Sequence, residues 1–216
     1  MKNNRYAVVL LKKILRKLYY LLPTLISKLK FRFMNVAYGP GLEVKGSLFV
    51  RASGSITIGR NVRINSSPES NPIGGGEKTF LRAFEGATII IGDRVGLSNC
   101  AITSQQKIVI EDDVLIGAGV GIFDTNFHST SYEDRIQRRE TSDINVASSP
   151  VLIKRGAFIG TRSLVLKGVV VGEGAVIAAG SVVTKSIPDG EVWGGNPARY
   201  LRGGATMSGK SRKDER

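Results

Sequence analysis

The sequence predicts an all-β solenoid of six-residue repeats, preceded by a basic amphipathic helix. Two observations carry that prediction. Ile153, Ile159, Val165, Val171, Ile177 and Val183 follow one another at intervals of six without a slip. Four residues after each of the first five stands a small or β-branched residue: Ala157, Ser163, Val169, Ala175 and Ser181. A helix needs apolar recurrence near 3.6 residues and a half-buried flat strand needs a period of two, so a step of six fits neither. It matches one short strand plus a tight corner, and stacked coils of such units bury the aliphatic column as a continuous core. Near the N-terminus, Ala7, Val8, Leu11, Ile14, Leu15, Leu18 and Leu22 recur at helical spacing instead, with Lys12, Lys13, Arg16 and Lys17 on the other side of the same turns.

Residues 1–35 form the helical segment. Pro23 is expected to break or kink it, and Leu25 to Phe33 resumes the apolar and basic mixture. Its longest uncharged run, Leu18 to Ser27, is too short to span a bilayer. Its charges and the absence of a small-residue cleavage site argue against a signal peptide. Two uses fit residues 5–33: lying on an anionic membrane surface with leucines in the acyl boundary, or packing on the domain with the charges solvated. Residues 36–190 form the solenoid. Weaker step-six phrases precede the strong one: Ile58 with Ile64, Ile91 with Leu97, and Ile110 with Ile116 and Ile122. They are out of phase with one another, so insertions separate them. The two plainest are 65–85, which holds Pro68, Pro72 and Gly74-Gly75-Gly76, and 124–150. Loops that leave a solenoid tend to carry its function. Residues 191–216 read as a C-terminal extension with a frayed polar tail.

Composition narrows the function. The 216 residues suit one domain with an appendage. The single cysteine, Cys100, cannot close an intramolecular disulfide, which favours a reducing cytoplasm, and it reads first as a small buried hydrophobe and second as a reactive thiol. One histidine rules out a three-histidine zinc site, and no carboxylate has Cys or His company at ligand spacing, so no catalytic metal is expected. The net charge of +13 is concentrated: nine Lys or Arg and no acid precede Glu43. That distribution does not describe a nucleic-acid groove. Gly74-Gly75-Gly76 and Gly117-Ala118-Gly119 lack the lysine and serine of a phosphate loop.

The lone histidine, His128, stands in Asp124-Thr125-Asn126-Phe127-His128-Ser129, where a coil ends and the long excursion begins. A lone histidine is often structural, but a site is built where a rigid strand meets a projecting loop. An imidazole titrating near neutrality suits removal of a proton from a hydroxyl that attacks a thioester. Asp124 is a candidate to orient His128, as is a backbone carbonyl. No Gly-x-Ser-x-Gly phrase and no convincing Cys–His phrase is present, so direct transfer is simpler than a covalent acyl-enzyme.

The step-six pattern, the His128 phrase, the run Ile177-Ala178-Ala179-Gly180-Ser181-Val182-Val183-Thr184-Lys185-Ser186-Ile187-Pro188 and the ending Gly194-Gly195-Asn196-Pro197-Ala198-Arg199 resemble the hexapeptide-repeat O-acetyltransferases. The nearest branch is that of the maltose, galactoside and capsular-polysaccharide acetyltransferases, and the likeness covers Ile89 to Arg202, about half of the chain. The resemblance, and nothing in the pattern itself, implies a left-handed parallel β-helix that assembles as a homotrimer with intersubunit active sites. It implies acetyl-CoA as co-substrate and His128 as general base. It places Asn99 near the acceptor, against the alternative of a turn-corner asparagine. Gly160, Thr161, Ala179, Thr184, Lys185, Arg199 and Arg202 become candidate coenzyme neighbours, each with a plain structural reading beside it. The basic N-terminal segment and both excursions depart from the sugar-specific members. They favour a bacterial surface or capsular polysaccharide, or its lipid-linked precursor, as acceptor, with the protein cytoplasmic or peripheral at the inner face of the membrane. An antibiotic-acetylating enzyme and a non-catalytic β-helix scaffold are the alternatives.

Overall fold

The computed structural model describes residues 2–71, 73, 78–137 and 146–204. Pro72, the Gly74-Gly75-Gly76 run, the middle of the second excursion and the tail from residue 205 lie outside the described residues.

Helix α1 (Lys2–Phe33) runs through Pro23 without interruption. Its C-terminal part seats on the open end of the solenoid. The Thr24 hydroxyl donates to the carbonyl of Val44, Ser27 is buried, and Phe31 is buried with its ring tilted against Tyr38 at 5.6 Å.

Six coils follow, each giving one strand to each of three parallel sheets, A, B and C. The first is β1 (Val36–Tyr38), β2 (Glu43–Gly46) and β3 (Phe49–Ala52); the second is β4 (Ser55–Ile58), β5 (Arg63–Ser66) and β6 (Phe80–Ala83). The third is β7 (Thr88–Ile91), β8 (Gly96–Ser98) and β9 (Ala101–Ser104); the fourth is β10 (Lys107–Ile110), β11 (Leu115–Ile116) and β12 (Gly121–Phe123). After a short helix, α2 (Tyr132–Gln137), the fifth coil is β13 (Val151–Ile153), β14 (Phe158–Ile159) and β15 (Leu164–Val165). The sixth is β16 (Val170–Val171), β17 (Val176–Ile177) and β18 (Val182–Val183). The step of six is thereby explained: Ile153, Ile159 and Val165 lie on sheets A, B and C in turn, and Val171, Ile177 and Val183 repeat the circuit. The fold is a left-handed parallel β-helix.

Strand register turns scattered aliphatic residues into columns. In sheet A, Ile58, Ile91, Ile110, Ile153 and Val171 stand in line; in sheet B, Val44, Ile64, Leu97, Ile116, Ile159 and Ile177 do so. The phrases that are out of phase in sequence therefore occupy common columns. The insertions between them leave and rejoin at corners, so the stack is unbroken. All of these side chains are essentially fully buried, and burial of this apolar column is the main stabilising term.

The corner between sheets A and B needs a left-handed residue in coil after coil: Gly41, Asn61, Arg94, Asp113, Gly156 and Gly174 all have φ between 55° and 77°. From Asn61 onward each of these N–H groups donates to a carbonyl in the corner of the preceding coil. Glycine, Asn and Asp adopt this conformation most readily. Arg94 is held there by its guanidinium, which pairs with Asp113 at 2.6 Å.

Both ends of the stack are covered. α1 closes the first. At the other, β19 (Glu191–Gly194) extends sheet B beside β17, and β20 (Arg199–Gly203) folds back antiparallel on β19. Residues 191–203, expected as an extension, thus add two strands to the solenoid, because Pro188 ends the step of six while Val192 still supplies a buried side chain. A free parallel edge would template pairing with other chains, and the antiparallel return occupies it.

Gly160 shows how tightly the coils stack. A Cβ there would lie 2.6 Å from the Ala179 nitrogen and from the Ile177 carbonyl oxygen of the next coil. Both are backbone atoms that cannot swing away. Gly160→Ala is expected to destabilise the fold by about 1–3 kcal/mol, measured as a lowered midpoint in chemical denaturation.

Candidate active site

The outer face of sheet C carries a cleft of about 780 Å³. Register explains its shape. Outward side chains of successive coils run Phe49, Phe80, Ala101, Gly121, Leu164. The Phe49 and Phe80 rings stack face to face at 4.2 Å and 3°. The next two residues are small, so the wall drops to a floor, and Leu164 with Phe123 closes the far side. Gly121 is needed for that closure: a Cβ would lie 2.7 Å from the Phe123 ring and 2.8 Å from Leu164. Lys78, at the end of the first excursion, reaches the same cleft.

Asn99 stands at one edge of the cleft, in the corner between β8 and β9. It is buried and left-handed, with φ 43°. Its N–H donates to the Asn65 carbonyl, and its own carbonyl accepts from the Gly119 N–H, each at 2.9 Å. Its side-chain oxygen accepts from the Asn71 amide at 3.4 Å. Asn99 is thus a corner residue that also lines the cleft.

The opposite edge of sheet C carries the His128 loop. Asp124 directly follows β12 and is fully buried. Its carboxylate accepts from the Ser104 hydroxyl at 2.6 Å and from the backbone N–H groups of Gln105, Gln106 and Lys107 at 2.7–2.9 Å. Four donors match the acceptor capacity of a carboxylate. Asp124 therefore ties the fourth coil to the corner of the third, and its hydrogen bonds run to that corner. The two feet of the second excursion are joined beside it. Ser149 N–H donates to the Asp124 carbonyl at 2.8 Å, Asn126 N–H donates to the Ala147 carbonyl at 3.1 Å, and Thr125 bridges Ser148. Just past this joint Phe127 adopts a left-handed φ of 62° and packs edge-on against Phe123 at 5.3 Å. His128 follows, exposed to solvent, next to a ring seated on the cleft wall. Beyond it Ser129 donates to Asp134 at 2.7 Å, and Arg135 caps the carbonyls of Ser129 and Thr130, so α2 braces the loop.

The late-coil candidates fall into three places. Gly160, Thr161 and Ala179 come together in the B-to-C corners of the fifth and sixth coils, where Gly180 N–H donates to the Thr161 carbonyl at 2.8 Å. Thr184 and Lys185 are exposed at the other end of β18, and Arg199 and Arg202 are exposed on β20. Gly160 packs on backbone, whereas a Cβ at Gly180 would meet open space. The corner at Ala179 and Gly180 is small and exposed, and the candidate cations Lys185, Arg199 and Arg202 are exposed as well. The aromatic pair and Leu164 were not singled out in the sequence; the only signal was their position one residue before a column member.

Among the described residues no group of three or more His, Cys, Asp or Glu side chains is arranged to hold a metal. Cys100 is buried at the cleft edge, and desolvation pushes its thiol up to about 12.

Comparison with known proteins places this architecture in a class of transferases. A model of the bacterial transferase hexapeptide (six repeats) matches residues 150–185, and a model of the hexapeptide repeat of succinyl-transferase matches residues 107–125. WbbJ of Escherichia coli K12, a candidate lipopolysaccharide biosynthesis O-acetyl transferase, is 31% identical over 157 residues, covering 71% of this chain and 74% of WbbJ. YJL218W of Saccharomyces cerevisiae, a candidate acetyltransferase, is 38% identical over 118 residues, covering 54% of this chain and 57% of the yeast protein. A galactoside acetyltransferase solved in complex with coenzyme A aligns with a TM-score of 0.54 at 25% identity, covering 82% of this chain and 68% of that one. The chain belongs to the hexapeptide-repeat acetyltransferase family, an enzyme class whose co-substrate is acetyl-CoA.

Two outcomes follow from the site's construction. Asp124→Ala leaves a buried hydroxyl and three N–H groups without an acceptor, and is expected to cost at least about 3 kcal/mol in urea unfolding, with Asp124→Asn losing less. Cys100 is expected to resist alkylation by iodoacetamide at pH 8 in the native protein and to react fully in denaturant, read by intact mass, because burial disfavours the reactive thiolate.

Proposed function

We propose that the protein transfers an acetyl group from acetyl-CoA to a sugar hydroxyl of a bacterial surface or capsular polysaccharide, or of its lipid-linked precursor. Similarity to WbbJ over most of both chains supports the acceptor class. The observation that carries the mechanism is the His128 loop: its feet are joined at Asp124 and Ser149, and Phe127 anchors it on the cleft wall. A general base needs such a fixed position at the rim of a site.

In this reading His128 accepts the hydroxyl proton as the sugar oxygen attacks the thioester carbonyl. The new C–O bond forms, the C–S bond breaks, and the proton passes to the departing thiolate sulfur. The step balances without a metal or a covalent acyl-enzyme. Asn99, at the facing edge of the cleft, holds the acceptor by its amide. Asp124 is a positioning residue: it fixes the coil end from which the His128 loop springs. Gly160, Thr161 and Ala179 allow the pantetheine to lie against the corner, while Thr184, Lys185, Arg199 and Arg202 bind coenzyme hydroxyls and phosphates. The assembly is a homotrimer with sites between subunits, in the cytoplasm and peripheral to the inner face of the membrane where a lipid-linked glycan is built.

The test compares wild type and His128→Ala for thiol release from acetyl-CoA with sugar acceptors. Loss of the base is expected to lower kcat/KM by about 10²–10⁴ while the assembled mass is unchanged. Unchanged turnover in a variant that still assembles would overturn the general-base role, and the absence of thiol release with any glycan would overturn the acceptor class.

A further inference from the structure

α1 is amphipathic the wrong way round for a helix that serves only its own domain. Where it touches the solenoid it presents Thr24, Ser27 and Phe31, spaced three and four residues apart along one face. On the other face Leu11, Leu15, Leu18, Leu22, Leu25 and Leu29 are each more than half exposed, and Phe33 is 84% exposed. Leu25 and Leu29 belong to the very turns that dock, so the leucine stripe points away from the protein along the whole helix. From Leu11 to Leu29 it extends about 27 Å at 1.5 Å per residue. A contiguous apolar surface of that size on a folded chain marks an interaction site.

We infer that this stripe docks on an anionic membrane surface, with α1 lying in the plane of the interface. The charges decide the partner. Helix α1 contains Lys2, Arg5, Lys12, Lys13, Arg16, Lys17, Lys28, Lys30 and Arg32 and no acidic residue. By helical spacing, positions 12, 13, 16 and 17 fall on the half of the helix away from the stripe, and basic residues on the polar face of an interfacial helix favour anionic headgroups. A second copy of the helix is a poorer partner. Coiled coils place opposite charges beside the leucine seam. Here the flanking positions hold Ile14, Tyr19, Leu21 and Ile26, which widen the stripe to about half the cylinder, and a second helix would bring only more positive charge. Crossing the bilayer is not an option, since no helix among the described residues is long and apolar enough. The inference deepens the proposed reaction by naming the surface at which the acceptor is met, and it is tested without turnover.

The full chain is floated with phosphatidylcholine vesicles, with and without phosphatidylglycerol. Two variants accompany it: Leu18→Gln/Leu22→Gln, and Lys12→Gln/Lys13→Gln/Arg16→Gln/Lys17→Gln. Gln keeps helix propensity, and both sets lie N-terminal to Thr24, Ser27 and Phe31, the residues that dock. Wild type is expected to float only with the anionic vesicles. The leucine pair is expected to lose about a hundredfold in partitioning. The quadruple variant is expected to lose about fivefold per charge, with the preference for anionic lipid abolished. Thermal melting and solution mass should be unchanged in both. The inference is overturned if wild type fails to float, floats equally on neutral vesicles, or if the leucine pair floats like wild type. A leucine pair that dissociates the assembly in the absence of lipid would assign the stripe to a second copy. Acetyl transfer to a water-soluble glycan is measured in parallel, so that loss of membrane binding and loss of the proposed activity are read separately.

Discussion

The molecule depends on one constraint: each coil must lie in register on the one before it, because backbone hydrogen bonds join the two coils all the way round, strand N–H groups donating to carbonyls of the following coil and left-handed corner N–H groups donating back to the preceding one. Strands of two to four residues make too few bonds to stand alone. Stability comes from repetition, with every column of Ile, Val and Leu buried by its neighbours above and below. Left-handed corners follow from the same constraint. The chain must turn sharply after each short strand, and a residue at φ near 60° turns it while leaving the N–H aimed at the previous corner. Arg94 accepts that backbone because its side chain is repaid by a paired aspartate on the next coil.

Register also dictates where a site can be. Extra residues are tolerated only if they leave and return at the same corner, so insertions become loops with closed feet. The second excursion illustrates this: Asp124 and Ser149 meet at its base, and the buried carboxylate of Asp124 gathers the four donors of the coil below. Sheet C lies between that loop and the corner bearing the first excursion. It is the one face bounded by an insertion at either edge, and it carries the cleft. The rigid stack supplies the floor, and the loops supply the side chains that differ from coil to coil.

Legibility in the sequence tracks the same division. The columns were readable because Ile153 to Val183 keep step with no insertion between them. Residues 58–122 were readable only as fragments, since each insertion resets the phase while leaving the spatial column intact. Asn99, His128 and the late-coil residues stood out by motif. The aromatic wall did not: Phe49 and Phe80 are thirty-one residues apart, across an insertion, and only the register of β3 with β6 stacks them. Asp124 was noticed for its closeness to His128, but its bonding depends on a corner seventeen to twenty residues earlier, which no local pattern reveals. Pro23 carried a strong expectation of a helix break. The helix continues because Pro forfeits a single intrahelical bond, while the turn after it is held by the Thr24 hydroxyl on the Val44 carbonyl and by the Ser27 hydroxyl, which donates to the Pro23 carbonyl.

The two ends of the stack were closed by different means, and the difference bears on what the N-terminal segment is for. At the C-terminal end β20 covers the last strand of sheet B using backbone bonds alone, with its side chains exposed. At the N-terminal end the covering contacts come from Thr24, Ser27 and Phe31, all within the last ten residues of α1. That short stretch is enough to shield Val44 and the first coil. The preceding residues of the helix add no buried side chain among those described, yet they hold six of the nine helix cations and most of the leucines. Folding therefore explains the helix only from Pro23 onward. The remainder carries six cations in its sequence and a row of exposed leucines beyond the docked part, which is the arrangement expected of an element built to engage something outside the chain.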